Sequence, residues 1–107
     1  MQERFPTPHY AVIFTSTLSD ATEGYDQMAT RMGELAAEQA GYLGIDSVRE
    51  GKLGITVSYW KDEAAIANWK RNLEHLTAQK GGRGGWYESF SVRVSKVERS
   101  YDFDSKA

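Results

Sequence analysis

The chain has 107 residues, which is the size of one domain with one hydrophobic core. Its 13 basic and 15 acidic residues are well mixed, and the formal net charge is −2 at pH 7. No basic stripe of the kind that binds nucleic acid is present, so we expect no nucleic-acid partner. Because cysteine is absent, disulfides, thiolate nucleophiles and cysteine-ligated metal sites are excluded.

The two ends of the chain and its hydropathy predict a single cytoplasmic domain over residues 1–107. The N-terminal residues have no apolar run typical of a signal peptide, and no stretch approaches the roughly 20 apolar residues of a membrane span. We therefore expect no membrane partner. Residues 1–8 contain both prolines and predict an irregular lead-in, and residues 102–107 predict a frayed tail.

The first half of the sequence predicts a strand followed by a helix. Residues 9–18, "HYAVIFTSTL", are rich in β-branched and aromatic residues and have apolar side chains at both alternating positions, which favours a central strand. A helix is predicted at about 21–40, because apolar residues recur there at helical spacing. Asp20 and Glu23 have the spacing of a capping box, and Gly41 is suited to end the helix as a left-handed C-cap.

A β-hairpin is predicted next. Residues 43–50 and 53–60 alternate between apolar and small or polar side chains, and the Gly-Lys pair at 51–52 suits a type II′ turn. Strict alternation places Leu43 and Ile45 on the same face of their strand.

The last third predicts a second helix and a fourth strand. Asp62 is expected to cap the helix, whose apolar stripe contains Ile66, Trp69, Leu73 and Leu76. The Gly-rich segment at 80–85 lacks the Gly-Lys-Ser/Thr of a P-loop, and we interpret it as a mobile loop or a pocket flap. Residues 86–97 predict the final strand, with Phe90, Val92 and Val94 on one face.

The resulting order, β-α-β-β-α-β, predicts an α+β fold of the ferredoxin-like type. In this fold an antiparallel sheet carries both helices on one face. A single layer of helices covers only one side of the sheet. We therefore expect the opposite face to pack on another subunit.

Nearly the whole chain resembles the antibiotic biosynthesis monooxygenase-like proteins of the dimeric α+β barrel superfamily. "AGYLGIDSVR" is similar to the family's turn into the second strand, and "SYWKDEAAIANWK" is similar to its W-x-s-x-E-A-x-x-x-W segment. The segments that carry the resemblance are "YAVIFTS" (10–16), "GYDQMATRMGELAAEQAGYLGIDSVR" (24–49), "GITVSYWKDEAAIANWKRNLEH" (54–75) and "WYESFSVRVSKVERSY" (86–101).

The resemblance implies a homodimer whose two sheets pack face to face, with a pocket between sheet and helices in each subunit. It implies a monooxygenase that needs no cofactor and acts on a small aromatic, polyketide-like substrate. Two alternatives stay open: a haem-binding or haem-degrading protein, and a non-enzymatic dimeric ligand-binding module. In the haem-degrading branch, the axial histidine occupies a position that corresponds to about Gln79 of this chain. An asparagine of that branch corresponds to a position within "IFTS" (13–16). His75 lies one helical turn before Gln79, and the segment "IFTS" contains no asparagine.

Trp69 and His75 are the candidate catalytic residues. Trp69 lies in an apolar stripe, so it is a packing residue, a pocket wall for a flat ligand, or both. In an uninterrupted helix His75 is turned away from Trp69 and lies on the surface. If Asn72 caps a new helical turn instead, His75 rotates towards the pocket, where an imidazole could act as an acid or a base.

The remaining candidates are predicted substrate contacts. Trp60 ends the third strand, and we expect it at the rim of the sheet. Trp86 and Tyr87 flank the start of the last strand, where they could close a pocket or form a dimer contact. Tyr59 and Tyr87 offer hydroxyls, and Asn72 an amide, to a bound ligand.

Overall fold

The structure, a computed structural model, describes residues 4–79 and 85–106, with the side chains of 76–79 outside the description. The Gly-rich segment at 80–84, interpreted above as a loop or flap, and the side chain of Leu76 therefore lie outside the described residues. The elements are β1 (His9–Leu18), α1 (Tyr25–Ala37), β2 (Tyr42–Glu50), β3 (Leu53–Trp60), α2 (Glu63–Gln79) and β4 (Tyr87–Val97).

The strands form one antiparallel sheet in the order β2-β3-β1-β4, which confirms the ferredoxin-like prediction. β1 lies inside the sheet between β3 and β4, as its apolar residues on both faces predicted. Among the described residues, neither helix combines the length and apolar character needed to cross a bilayer.

Strand register divides the sheet into two faces. Val12 pairs with Ser58 and Val94, and it packs in a core cluster with Ala36 of α1 and Ala65 of α2. We call the face that carries Val12 the helix face, and the opposite one the outer face. Phe90, Val92 and Val94 share the helix face, as the alternation in their strand predicted.

A β-bulge corrects the predicted orientation of the second strand. The register shifts between Tyr42 and Gly44, so that Leu43 is an extra residue in β2. Leu43 consequently lines a cleft with His9 on the outer face, whereas Ile45 pairs with Ser58 on the helix face. The prediction that Leu43 and Ile45 share a face was wrong, because strict alternation cannot reveal an inserted residue.

The first helix is shorter than predicted at both ends. It begins after Gly24, whose φ of 81° is left-handed and which makes no side-chain capping bond. The predicted capping box does not form, because the helix begins only at Tyr25, and the Asp20 carboxylate pairs with Lys52 in the β2–β3 turn. At the other end Glu38 is the C-cap, and left-handed Gly41 redirects the chain into β2 rather than ending the helix.

The second helix matches its prediction closely. Asp62 Oδ1 accepts a hydrogen bond from the Ala65 backbone N–H at 2.8 Å, which confirms Asp62 as the N-cap. The helix then runs without interruption from Glu63 to Gln79, past Asn72. The Asn72 side chain donates to the carbonyl of Asn68, one turn earlier, so it does not cap a new turn.

Gly41 provides a test of backbone geometry. Its φ is 87°, and a Cβ built there would lie 2.6 Å from the Cβ of Ala65. We expect Gly41→Ala to lower the free energy of unfolding by roughly 1–3 kcal/mol, because strain and steric overlap act together. Urea denaturation measures the change.

The matched control is Gly33→Ala in the middle of α1, where an added Cβ meets nothing within 4 Å. This variant should be more stable by about 0.5–1 kcal/mol, because alanine favours helix. Equal effects of the two substitutions would contradict the proposed role of Gly41.

Candidate functional site

The helix face of the sheet carries polar side chains where a simple core would be apolar. Ser16 and Ser58 are each only 2% exposed. Ser47 and Thr56 pair across β2 and β3 with a hydroxyl–hydroxyl distance of 2.8 Å. We call these four residues the polar strip. Ser16 and Ser58 are the buried members, whereas Ser47 is exposed and Thr56 half-buried. Buried hydroxyls cost free energy unless they are hydrogen-bonded, so the presence of Ser16 and Ser58 makes this face a candidate site.

Trp60 and Trp69 stack at one end of the helix face, with ring centroids 5.0 Å apart and planes at 29°. Trp60 ends β3 at the edge of the sheet, as predicted, and it is 0% exposed. The strand ends there, but α2 immediately folds back over it. The Trp60 indole N–H donates to Ser58 Oγ at 2.9 Å, and this internal bond makes Trp60 chiefly a core residue.

The indole N–H of Trp69 is different from that of Trp60. Among the described side chains, Trp69 Nε1 is the only buried polar atom without a hydrogen-bond partner. An indole nitrogen can only donate, and an unsatisfied buried donor is destabilising. Trp69 therefore packs on Trp60, as one of its two predicted roles requires, and its indole N–H is a donor buried in the layer between helix and sheet.

The structure places His75 on an exposed part of the continuous helix α2. Asn72 is also exposed, and its amide donates to Gln39 Oε1 at 3.2 Å, which ties α2 to the end of α1. Asn72 therefore does not start a new helical turn, and His75 is not rotated inward.

Five aromatic rings form the other end of the helix face, and we call them the aromatic cluster. Tyr87 contacts Phe14, Tyr25 and Phe90 with ring centroids 5.4, 5.7 and 5.7 Å away. Trp86 contacts Tyr25 at 5.9 Å and donates its indole N–H to the Glu23 carbonyl at 2.9 Å. The predicted residues Trp86 and Tyr87 thus join the start of β4 to the start of α1.

Tyr87 is the most strongly perturbed phenol of the site. Burial raises its pKa well above the ordinary range, and a hydrogen bond with Tyr25 raises it further. Both effects favour the uncharged phenol. Tyr87 is therefore neutral at physiological pH.

Arg49, which sequence reasoning missed, lies beside the aromatic cluster. Its Nη2 donates to the Tyr25 hydroxyl at 3.1 Å, and its Cζ is 5.4 Å from the centre of the Tyr25 ring. The guanidinium occupies space opposite Gly54, which has no side chain. The glycine in an otherwise alternating strand was the available signal, since such a position often marks a close approach by another group.

Tyr59, a predicted substrate contact, lies on the outer face instead. Its hydroxyl donates to Asp46 Oδ2 at 2.9 Å, and its ring contacts Phe5 and His9. Asp46 also accepts two hydrogen bonds from Arg4, and chiefly this contact lowers the pKa of the Asp46 carboxyl. Tyr59 thus helps to hold the N-terminal segment against the outer face of the sheet.

Two clefts are open at the surface. One of about 410 Å³ is lined by Pro6, Pro8, His9, Leu43 and Lys61, and one of about 300 Å³ lies around Gly41 and the start of α2. Neither is lined by any of the predicted site residues. Within residues 4–79 and 85–106 no cluster of three or more histidine or acidic side chains could hold a metal ion.

The outer face exposes a second feature, a patch of aliphatic side chains. Val48, Leu53 and Ile55 are 70%, 53% and 40% exposed. They project from adjacent strands of the sheet, because Val48 pairs with Ile55 and Leu53 lies two residues before Ile55. Contiguous apolar surface of this kind commonly marks a contact with another protein.

Comparison with known proteins identifies relatives that match most of the chain. Residues 8–81 match the family described as "Antibiotic biosynthesis monooxygenase". The uncharacterised protein YqjZ of Bacillus subtilis is 53% identical over 93 residues, which cover 86% of this chain and 82% of YqjZ. The jasmonate monooxygenase ABM of Pyricularia oryzae is 30% identical over 97 residues, which cover 85% of this chain but only 44% of that protein.

Solved structures give the same architecture. SnoaB, a cofactor-independent oxygenase from Streptomyces nogalater, superposes with a TM-score of 0.71 at 13% identity. The match covers 88% of this chain and 97% of SnoaB. PA3566 from Pseudomonas aeruginosa superposes with a TM-score of 0.66 at 19% identity, covering 89% of this chain and 97% of PA3566. At such identities the likeness shows the fold alone.

Proposed function

Because the chain belongs to the antibiotic biosynthesis monooxygenase family, we propose that it is a monooxygenase that needs no cofactor. The proposed substrate is a small, electron-rich aromatic molecule of the polyketide type. The family assignment supports the reaction class, and the names of two relatives, a cofactor-independent oxygenase and a jasmonate monooxygenase, agree with it. The residues of the helix face support the place where the substrate binds.

The observation that carries the proposal is the buried indole N–H of Trp69, which has no acceptor among the described residues. A ligand oxygen in the layer between helix and sheet would satisfy this donor. Trp69 Nε1 would then hydrogen-bond the substrate oxygen on which negative charge develops, as preorganised donors do in other enzymes. The polar strip and aromatic side chains of the same face would orient a flat molecule.

The chemistry begins with loss of a proton from the substrate. The resulting anion passes one electron to O₂, and the substrate radical combines with superoxide to form a carbon–oxygen bond. When a methylene is oxidised to a carbonyl, one oxygen atom stays on carbon and the other leaves as water with the two hydrogens. The protein binds and orients the substrate, excludes water and stabilises the anion.

The roles of the other predicted residues in this proposal depend on where each side chain lies. Tyr87, kept uncharged by burial and its bond to Tyr25, would pack against the substrate ring. Trp86 would close the same end of the face. His75 and Asn72 are exposed on α2, so they would act only on a substrate that reaches that surface. Trp60 would support Trp69 from behind, and Tyr59 would act on the opposite face.

We also propose that the protein is a homodimer formed through the outer face. The exposed aliphatic side chains of β2 and β3 support this arrangement, since pairing two outer faces would remove them from water. Each helix face would remain with its own subunit, so a dimer would hold two separate sites.

Oxygen consumption tests the proposed reaction. We expect uptake with at least one member of a panel of anthrones and hydroquinones. Trp69→Phe, which keeps an aromatic ring but removes the N–H, should lower kcat by roughly tenfold or more, because a donor to the developing charge is lost. An oxygen electrode and product chromatography measure both quantities.

The control is Tyr101→Phe, which removes a hydroxyl from an exposed side chain after the last strand and should leave kcat unchanged. Absence of uptake with every substrate would count against the reaction. Unchanged kcat in Trp69→Phe would reject the role of the indole. A Soret band on haem titration, lost in His75→Ala, would instead support the alternative of haem binding.

A further inference from the structure

Arg49 is a cation without a carboxylate partner among the described residues. Arg4, Arg31 and Lys52 each pair with an acidic side chain, whereas the guanidinium of Arg49 meets a carbonyl and hydroxyls only. An arginine that merely decorates a surface needs no fixed neighbours. Arg49, however, is held by groups from several different elements.

Four neighbours define the position of the guanidinium. Nη1 donates to the Lys52 carbonyl at 2.9 Å, and Nη2 lies 3.1 Å from the Tyr25 hydroxyl and 3.5 Å from buried Ser16 Oγ. A Cβ on Gly54 would lie 2.6 Å from Arg49 Cζ, so a larger residue there would displace the guanidinium from this position. A guanidinium fixed in advance loses less conformational entropy when it binds a ligand.

The fixed group keeps unused hydrogen-bonding capacity. A guanidinium has five N–H donors, and three donor contacts are made here. The Tyr25 hydroxyl accepts from Arg49 and so retains its own proton for donation. Tyr87, the neighbouring phenol, stays uncharged because burial and Tyr25 raise its pKa, so it does not neutralise the arginine.

An aromatic, apolar surface adjoins this cation. The aromatic cluster extends from Tyr25 through Tyr87 to Phe90, and the Phe90 side chain is 61% exposed although it lies on the helix face. Rings in such contact bind other planar rings by offset or edge-on packing. A cation at the border of an aromatic surface matches a planar molecule that carries a negative charge at one edge.

We propose that Arg49 and Tyr25 bind the carboxylate of an aromatic acid whose ring packs on the aromatic cluster. The planar guanidinium matches the geometry of a carboxylate and forms charge-assisted hydrogen bonds with it. Arg49 is thereby a specificity-determining residue of the helix face. This inference rests on the proposed function for its substrate class, but it concerns binding, which is measured without turnover.

The test uses 2-naphthoate and its neutral isostere 2-naphthamide as probes, with binding to the full chain measured by titration calorimetry at pH 7. We expect 2-naphthoate to bind at least about tenfold more tightly than 2-naphthamide, since a charge-assisted hydrogen bond is worth that much or more. Arg49→Leu and Gly54→Ala should each remove this preference, the first by deleting the cation and the second by displacing it.

The matched control is Arg93→Leu, which removes an exposed arginine from β4 on the outer face. It should keep the preference for 2-naphthoate. Thermal unfolding of each variant shows that the fold persists, and Arg49→Leu alters an exposed side chain that the fold can lose. If Gly54→Ala does not fold, the preference for 2-naphthoate over 2-naphthamide in Arg49→Leu tests the proposal by itself.

Equal binding of the two probes, no measurable binding of either, or an undiminished preference in Arg49→Leu would each overturn the inference. These outcomes are independent of oxygen uptake. A preference for 2-naphthoate without any oxygen uptake would support the carboxylate site and contradict the proposed reaction. Oxygen uptake without a preference for 2-naphthoate would support the reaction and contradict the carboxylate site.

Discussion

Trp60→Ala is expected to lower the free energy of unfolding by roughly 3–5 kcal/mol, the range for truncating a large buried aromatic side chain. Trp60 is 0% exposed and lies at the centre of the core cluster, in contact with Tyr42 and Trp69. Removing it leaves a cavity and also deprives Ser58 of its hydrogen-bond donor. Such a loss is a large part of the total stability of a small domain, about 5–15 kcal/mol.

Urea denaturation followed by circular dichroism measures this effect. Tyr101→Ala is the control, because it truncates an aromatic side chain that is 70% exposed and should change stability by less than about 0.5 kcal/mol. Trp60→Phe should fall between the two, since it keeps most of the volume but loses the bond to Ser58. A cost below about 1 kcal/mol for Trp60→Ala would show that Trp60 does not organise the core.

The double variant Leu53→Asp, Ile55→Asp is expected to convert a homodimer into monomers. Both side chains are exposed on the outer face, and carboxylates there would have to be buried without a partner in the dimer contact. Light scattering coupled to size exclusion should report the mass of two 12.0 kDa chains for the wild type and of one chain for the variant.

Val92→Asp is the matched control, because Val92 is 52% exposed on the other face of the same sheet. It should leave the wild-type mass unchanged. A monomeric wild type would refute the dimer, and a dimeric double variant would place the contact elsewhere. Neither result would bear on the reaction, since each helix face lies within one subunit.

The architecture follows from local patterns that the sequence displays openly. Apolar residues at period two or at helical spacing define each element, because in water an element must bury one of its sides. The Asp62 cap, the turn beginning at Gly51 and the central position of β1 depend on a few neighbouring residues, and the structure confirms all three. The resemblance to the family rests on the same local segments.

The errors of sequence reasoning occurred where a distant group decided the outcome. Asp20 has the spacing of a capping box, but its carboxylate pairs with Lys52 of the β2–β3 turn, and α1 begins only after Gly24. Trp60 ends its strand as predicted, but its complete burial depends on packing against Tyr42 and Trp69. Leu43 lies on the other face because one residue is inserted into the β2–β3 register.

The sequence by itself determined the order of the elements, the antiparallel fold and the family, since each follows from the spacing of residues close together in the chain. Only the tertiary structure decided which side chains share the candidate site. Arg49, Tyr25, Gly54 and Tyr87 belong to four different elements and meet through strand register and helix packing. The continuity of α2 likewise left His75 exposed, while packing in the layer between helix and sheet buried the Trp69 indole nitrogen with no acceptor among the described residues. Periodicity assigns a side chain to a face, but contacts between distant segments decide its neighbours.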